Sequence, residues 1–202
     1  MWPGVVGIVL GRPLPSADMA IIDRYAALVV DLDGVVFRGQ ELIRGAGSFL
    51  RKARRQRPPI VFVTNNSTGT PQEWSELFER HKIAVPADRI VTSAGATASL
   101  VARSGSVYVL GEYGLREALR EAGARLVPDA RDADVVVVGF DRSLTYEKLR
   151  EAAVAIERGA RFVATNPDTT MPADAGKVPG PARPSRSCGP RPAPPRKSSA
   201  SR

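Results

Sequence analysis

Ala26–Gly39, AALVVDLDGVVFRG, holds an apolar run that ends abruptly in two aspartates one residue apart, Asp31 and Asp33, followed by Gly34. A strand buried on both faces of a parallel sheet reads as such a continuous run, so Asp31 is expected where the strand leaves the sheet. That edge is where open α/β sheets build their sites. Side chains alternate along a strand, so Asp31 and Asp33 start on the same side while Leu32 turns into the apolar layer. Gly34 permits a sharp turn and the close approach of a ligand. Two carboxylates this close repel unless a cation or a shared proton compensates, and oxygen ligands of this kind suit Mg²⁺. One carboxylate could attack while its neighbour moves protons. The same residues could instead form a polar strand-to-loop turn; the calcium-loop pattern is not matched.

Downstream, Arg44 to Gln56 carries Phe49, Leu50 and Ala53 at helical spacing. Pro58 and Pro59 end it, and Ile60 to Val63 forms a second apolar run that finishes in Thr64, Asn65, Asn66 and Ser67. Strand, crossover helix and strand over about 30 residues make a βαβ unit. The right-handed crossover makes its strands parallel, so both polar ends open on one edge. Thr70 with Pro71 and Glu73 predicts a capped helix start, with Trp74, Leu77, Phe78 and His81 on one face. His81 sits at the far end of that helix and reads as an amphipathic or surface residue.

DLDGVVFRG followed by VFVTNNS resembles the first two motifs of the haloacid dehalogenase (HAD) superfamily phosphatases. The subclass resembled is class IIA, with a C2 cap, containing NagD-like, 4-nitrophenyl phosphate and phosphoglycolate phosphatases. VVVVGFDRSLTYEKL (Val135–Leu149) and FVATNPDTT (Phe162–Thr170) are similar to that subclass's cap. The resemblance covers about residues 22–180. It implies an α/β fold, a HAD-like Rossmannoid parallel sheet of which this chain holds the N-terminal half, with an α/β C2 cap. The expected organisation is an N-terminal extension (1–18), the first half of the core (19–84), the cap (85–180) and a basic Pro/Arg/Ser tail (181–202). Within the cap, strands are expected at 107–110, 133–138 and 162–165, with helices at 114–122 and 145–158.

By the same resemblance, Asp31 is a nucleophile that forms an aspartyl-phosphate and ligates Mg²⁺. Asp33 is the general acid/base and contributes its backbone carbonyl to the metal. Thr64 hydrogen-bonds the transferring phosphoryl group, and Asn65 and Gly34 help to bind phosphate or substrate. Asn166 and Asp168 either face the site from the cap or serve a turn. The implied activity is hydrolysis of small phosphorylated metabolites, and a homodimer through the cap is compatible with it. Two further motifs of the family, a lysine and a set of acidic metal ligands, are expected after the cap and are not found. The chain therefore reads as a truncated or frameshifted member with impaired activity. The alternative is a catalytically inactive remnant or an interaction module.

The net charge of +8 over 202 residues would suggest a nucleic-acid partner, but seven basic residues and no acid lie between Ala175 and Arg202. The rest is nearly neutral, and the tail has no aromatics to stack bases, so no nucleic-acid partner is expected. The single cysteine, Cys188, cannot form an internal disulfide and fits a reducing cytoplasm. The apolar opening MWPGVVGIVLG lacks a basic n-region and is too short to span a bilayer, so neither secretion nor a membrane anchor is expected. Met19 resembles a natural start.

Overall fold

The computed structural model describes residues 27–56, 59–168, 170–173 and 176–179. The expected N-terminal extension (1–18) and basic tail (181–202) lie outside these residues. The apolar run forms strand β1 (Leu28–Asp31), and the chain then turns into a small hairpin of β2 (Phe37–Arg38) and β3 (Glu41–Leu42). Two-residue strands carry no readable alternation, which is why the sequence gives no sign of the hairpin. Helix α1 (Ala46–Gln56), strand β4 (Ile60–Thr64), helix α2 (Pro71–Arg80) and strand β5 (Ile90–Thr92) follow. β1 pairs with β4 and β4 with β5, both parallel, in the order β1-β4-β5, with Asp31 opposite Val63 and Thr64 opposite Thr92. The polar ends of all three strands therefore open on one edge, as the βαβ reading expects.

Helix α2 starts as predicted. Thr70 Oγ1 accepts from the Glu73 N–H, and Glu73 Oε2 accepts from the Thr70 N–H at 2.7 Å. Its buried face, Trp74, Leu77 and Phe78, meets the hairpin and the sheet. Phe37 lies edge-on to Phe78 with ring centroids 4.9 Å apart, and Phe62 is 4.8 Å from Phe78 on the sheet side. Such ring pairs add roughly 0.5–1.5 kcal/mol beyond their buried area. His81 Nε2 lies 2.8 Å from the Gln40 carbonyl oxygen, and its ring packs against Phe37, so it fastens the hairpin to the end of α2.

A second parallel sheet follows with almost no linker. Thr92, the last residue of β5, is also the N-cap of α3 (Ser93–Val101), its hydroxyl accepting from the Gly95 N–H. Strand β6 (Ser106–Leu110), helix α4 (Tyr113–Glu121), β7 (Arg125–Leu126), β8 (Val135–Val138), α5 (Tyr146–Glu157) and β9 (Arg161–Ala164) complete it in the order β7-β6-β8-β9. Val107, Val109, Val135 and Val137 pack toward α3 and α4, whereas Tyr108, Leu110, Val136 and Val138 pack toward α5. Helices on both faces explain why these strands are uniformly apolar. An antiparallel hairpin, β10 (Thr170–Ala173) with β11 (Gly176–Pro179), lies beyond β9. Among the described residues no helix is long and apolar enough to cross a membrane.

The expected boundary between residues 84 and 85 falls inside the first sheet, because Ile90–Thr92 pairs with β4. A three-residue strand is too short for pattern reading, and the helix after it, SAGATASLV, has little apolar periodicity. The change of sheet comes at Thr92 and Ser93.

The two sheets meet at the loop after β4. The Gly114 N–H donates to the Thr68 carbonyl at 2.9 Å, and a Cβ at Gly114 would lie 2.5 Å from the Gly69 carbonyl oxygen. A Cβ at Gly139 would lie 2.9 Å from Ser67 Oγ. Backbone cannot yield as a side-chain tip can. Gly114→Ala is therefore expected to destabilise the protein by about 1–3 kcal/mol, read as a lower urea midpoint at unchanged slope.

Candidate active site

Asp31 is the last residue of β1, and pairing persists for one more residue through the Leu32 N–H to the Val63 carbonyl at 3.0 Å. Leu32 is fully buried, so alternation puts the flanking aspartates on the opposite side, as expected. Asp33 makes an isolated bridge with Phe37, and the N–H groups of Val36 and Phe37 both donate to the Leu32 carbonyl. This tight reversal requires Gly34 at φ +81°, a region costly for other residues. The Gly34 N–H is already engaged by the Phe37 carbonyl at 2.7 Å, so the glycine shapes the turn rather than offering a free donor.

Parallel pairing brings the end of β4 beside this turn. The buried Thr64 hydroxyl donates to Asp33 Oδ2 at 2.6 Å and accepts from the Asn66 N–H at 3.0 Å. Asn66 Oδ1 in turn accepts from the Thr68 N–H and hydroxyl, which curls residues 66–68 into a fixed loop.

Asn65 points the other way, toward the second sheet. Its carbonyl accepts from Asn166 Nδ2 and from Ser93 Oγ, each at 2.8 Å, and its side-chain amide donates to Asp168 Oδ2. The Asp168 N–H donates to Asn166 Oδ1 at 2.9 Å. Asn166 and Asp168 thus form a turn after β9, and that turn meets the loop after β4 at Asn65. Ser93 was not foreseen. Its signal, a hydroxyl at the carboxyl end of a strand, depended on recognising β5.

Asp31 and Asp33 sit in an unfavourable electrostatic setting. Burial pushes the Asp31 carboxyl above its ordinary value and the Asp33 charge pushes it further, against a backbone hydrogen bond from Leu32. Burial likewise raises Asp33, and the Thr64 hydroxyl counteracts it. Among the described residues, neither aspartate forms an ion pair with a basic side chain. The donor set is therefore a pair of hard, uncompensated oxygen ligands. No group of three His, Cys, Asp or Glu side chains that could hold a metal occurs among the described residues. Two carboxylates suit Mg²⁺, which keeps several waters and is commonly bound through one or two carboxylates, and do not suit a closed zinc site.

The haloacid dehalogenase-like hydrolase family profile matches residues 28–125, from β1 to β7. The chain is 41% identical over 159 residues to the acid sugar phosphatase of Staphylococcus epidermidis, covering 77% of this chain and 61% of that protein. It is 40% identical over 159 residues to the 5'-nucleotidase YutF of Bacillus subtilis, with the same coverage. Among solved structures, the glycerol phosphate phosphatase Rv1692 of Mycobacterium tuberculosis in complex with magnesium superposes with a TM-score of 0.74 at 31% identity, over 82% of this chain and 51% of that one. The chain spans about three fifths of the length of the curated relatives it matches. With the DLDG turn, the β4 terminus beside it and this likeness over both sheets, the chain belongs to the haloacid dehalogenase-like hydrolase family.

Proposed function

We propose that the chain carries the nucleophile-bearing part of a cytoplasmic, Mg²⁺-dependent phosphomonoesterase that hydrolyses small phosphorylated metabolites. The observation that supports this reading best is the pair of half-buried, uncompensated carboxylates Asp31 and Asp33, one of them gripped by Thr64. The magnesium named in the relative's structure accords with that donor set. The first sheet, up to Thr92, would do the chemistry, and the second, from Ser93, would cover the site and select the substrate.

In this reading Asp31 attacks phosphorus in line and the P–O bond to the alcohol breaks, leaving an aspartyl-phosphate. Asp33, protonated at the start, gives its proton to the departing alkoxide. Its raised affinity for a proton suits that task. Asp33 then takes a proton from the water that attacks the aspartyl-phosphate, which releases inorganic phosphate and restores Asp31. Thr64 orients Asp33 and can turn the same hydroxyl hydrogen to a phosphoryl oxygen. Asn65, exposed beside it, offers an amide to the substrate. The Asp31 carboxylate and the Asp33 backbone carbonyl would hold Mg²⁺, which when bound neutralises charge on the phosphoryl oxygens.

A second reading, a non-catalytic module of the same lineage, draws on the lack of a basic ion-pair partner for either aspartate among the described residues. Stabilisers of that kind are each worth roughly 10²- to 10³-fold in rate, so turnover by this chain is expected to be slow. The deciding experiment is hydrolysis of 4-nitrophenyl phosphate with and without Mg²⁺. Metal-dependent turnover that disappears in Asp31→Asn is expected. Turnover retained in that variant would exclude Asp31 as nucleophile, and folded protein that is inert with Mg²⁺ would favour the module.

The electrostatics predict a stability effect independent of activity. Raised folded-state values mean that ionising Asp31 and Asp33 opposes folding: the stability present below the ordinary value of 3.8 is lost as pH rises through the raised values. Asp31→Asn should therefore raise the melting temperature of metal-free protein at pH 7, a gain that shrinks as pH falls toward 3.8. Mg²⁺ should raise the melting temperature of the unsubstituted chain more than that of the variant.

A further inference from the structure

The turn that carries Asp33 is held from two sides. Thr64 grips its carboxylate, and Phe37 grips its backbone. The Phe37 N–H donates to the Leu32 carbonyl at 2.9 Å, and the Phe37 carbonyl accepts from the Gly34 N–H at 2.7 Å. Phe37 therefore cannot shift without carrying residues 32–34 with it. Its ring is fully buried against Phe78 and Trp74 of α2, with centroids 4.9 and 6.1 Å away. The hairpin it belongs to pairs only Phe37 with Leu42 and Arg38 with Glu41, and so short a two-stranded ribbon does not hold its own shape in water.

The end of α2 supplies what the hairpin lacks. Gln40 stands in the turn between β2 and β3, and the last residue of α2 and its C-cap both reach it. Arg80 Nη1 donates to Gln40 Oε1 at 3.4 Å, and His81 Nε2 lies 2.8 Å from the Gln40 carbonyl oxygen. A carbonyl only accepts, so Nε2 carries the hydrogen. The His81 ring also packs 5.7 Å from the Phe37 ring, so one side chain touches both the tip and the base of the hairpin.

We propose that His81, supported by Arg80, is a positioning residue for Asp33: it clasps the β2–β3 hairpin so that Phe37 holds the aspartate turn in place. This rests on the phosphomonoesterase reading above, in which Asp33 is the general acid/base. His81 acts through Gln40 and Phe37. Proton transfer requires the acid within about 2.6–3.2 Å of the departing oxygen. A turn free to drift therefore loses rate while the substrate still binds.

The test joins kinetics with amide exchange in the full-length chain. His81→Ala is expected to lower kcat for 4-nitrophenyl phosphate with Mg²⁺ by roughly tenfold at nearly unchanged KM. His81→Gln, which still offers an N–H to the Gln40 carbonyl, should recover most of that loss, whereas His81→Phe, which keeps only the ring, should not. In metal-free His81→Ala, the amides of Gly34 and Phe37 should exchange faster while those of Val136 and Val137 in the second sheet keep their rates, and His81→Gln should restore slow exchange. General destabilisation would speed both sets. Unmoved amides at Gly34 and Phe37, acceleration of both sets together, or equal effects of the Gln and Phe variants overturns the proposal. Local acceleration reversed by His81→Gln, in a chain that does not hydrolyse the ester, would instead refute the phosphatase reading and leave the clasp on the aspartate turn standing.

Discussion

Repulsion between two carboxylates held half-buried at the end of one strand is the constraint on which the rest of this structure turns. Neither Asp31 nor Asp33 can relax into solvent, because Leu32 between them is locked into the core and the chain reverses at once through Gly34. The fold spends stability to keep them there. Other features of the first sheet serve the same placement: β4 runs parallel to β1 so that Thr64 can reach Asp33, and Phe37 returns under the turn to wedge it against α2. A stable protein that carries such a cluster is one in which a cation, a proton or a substrate relieves it at some stage of its work.

The second sheet meets this site edge to edge. Both sheets are parallel, and both present the carboxyl ends of their strands to the same loop, residues 65–69. Asn65 is the junction: its carbonyl is held by Ser93 at the start of α3 and by Asn166 after β9, and its side chain by Asp168. Sites of open α/β sheets form outside the carboxyl ends of one sheet. Here residues that would be ordinary loop caps on either sheet are joined across Asn65 by direct hydrogen bonds.

Much of this was legible in the sequence where the determining physics is local. The apolar run, the pair of aspartates and Gly34 specify a strand, its end and a turn within nine residues. The Thr70–Glu73 cap and the valine run of β8 likewise depend on near neighbours. What escaped was set at a distance. Thr64 was expected to address a phosphoryl group, but its bond to Asp33 spans 31 residues and follows from register, which spacing does not reveal. The Asn65–Asp168 contact spans 103 residues, and no pattern along the chain announces it. β5 and α3 were missed because one is three residues long and the other is built of small residues that pack closely without an apolar stripe.

The glycines at the meeting of the sheets bear on how this junction could be reshaped. At Gly114 a methyl group would meet backbone, so that stretch of the seam is fixed in shape, whereas at Gly139 it would meet the side chains of Leu115 and Ser67. The exposed side chain next to Gly114, Tyr113, is free of that restriction. Diversification of such a scaffold, in nature or in a library, is thereby channelled to a few rim positions around a fixed seam, and new selectivity can arise without disturbing the joint that holds the two halves in register.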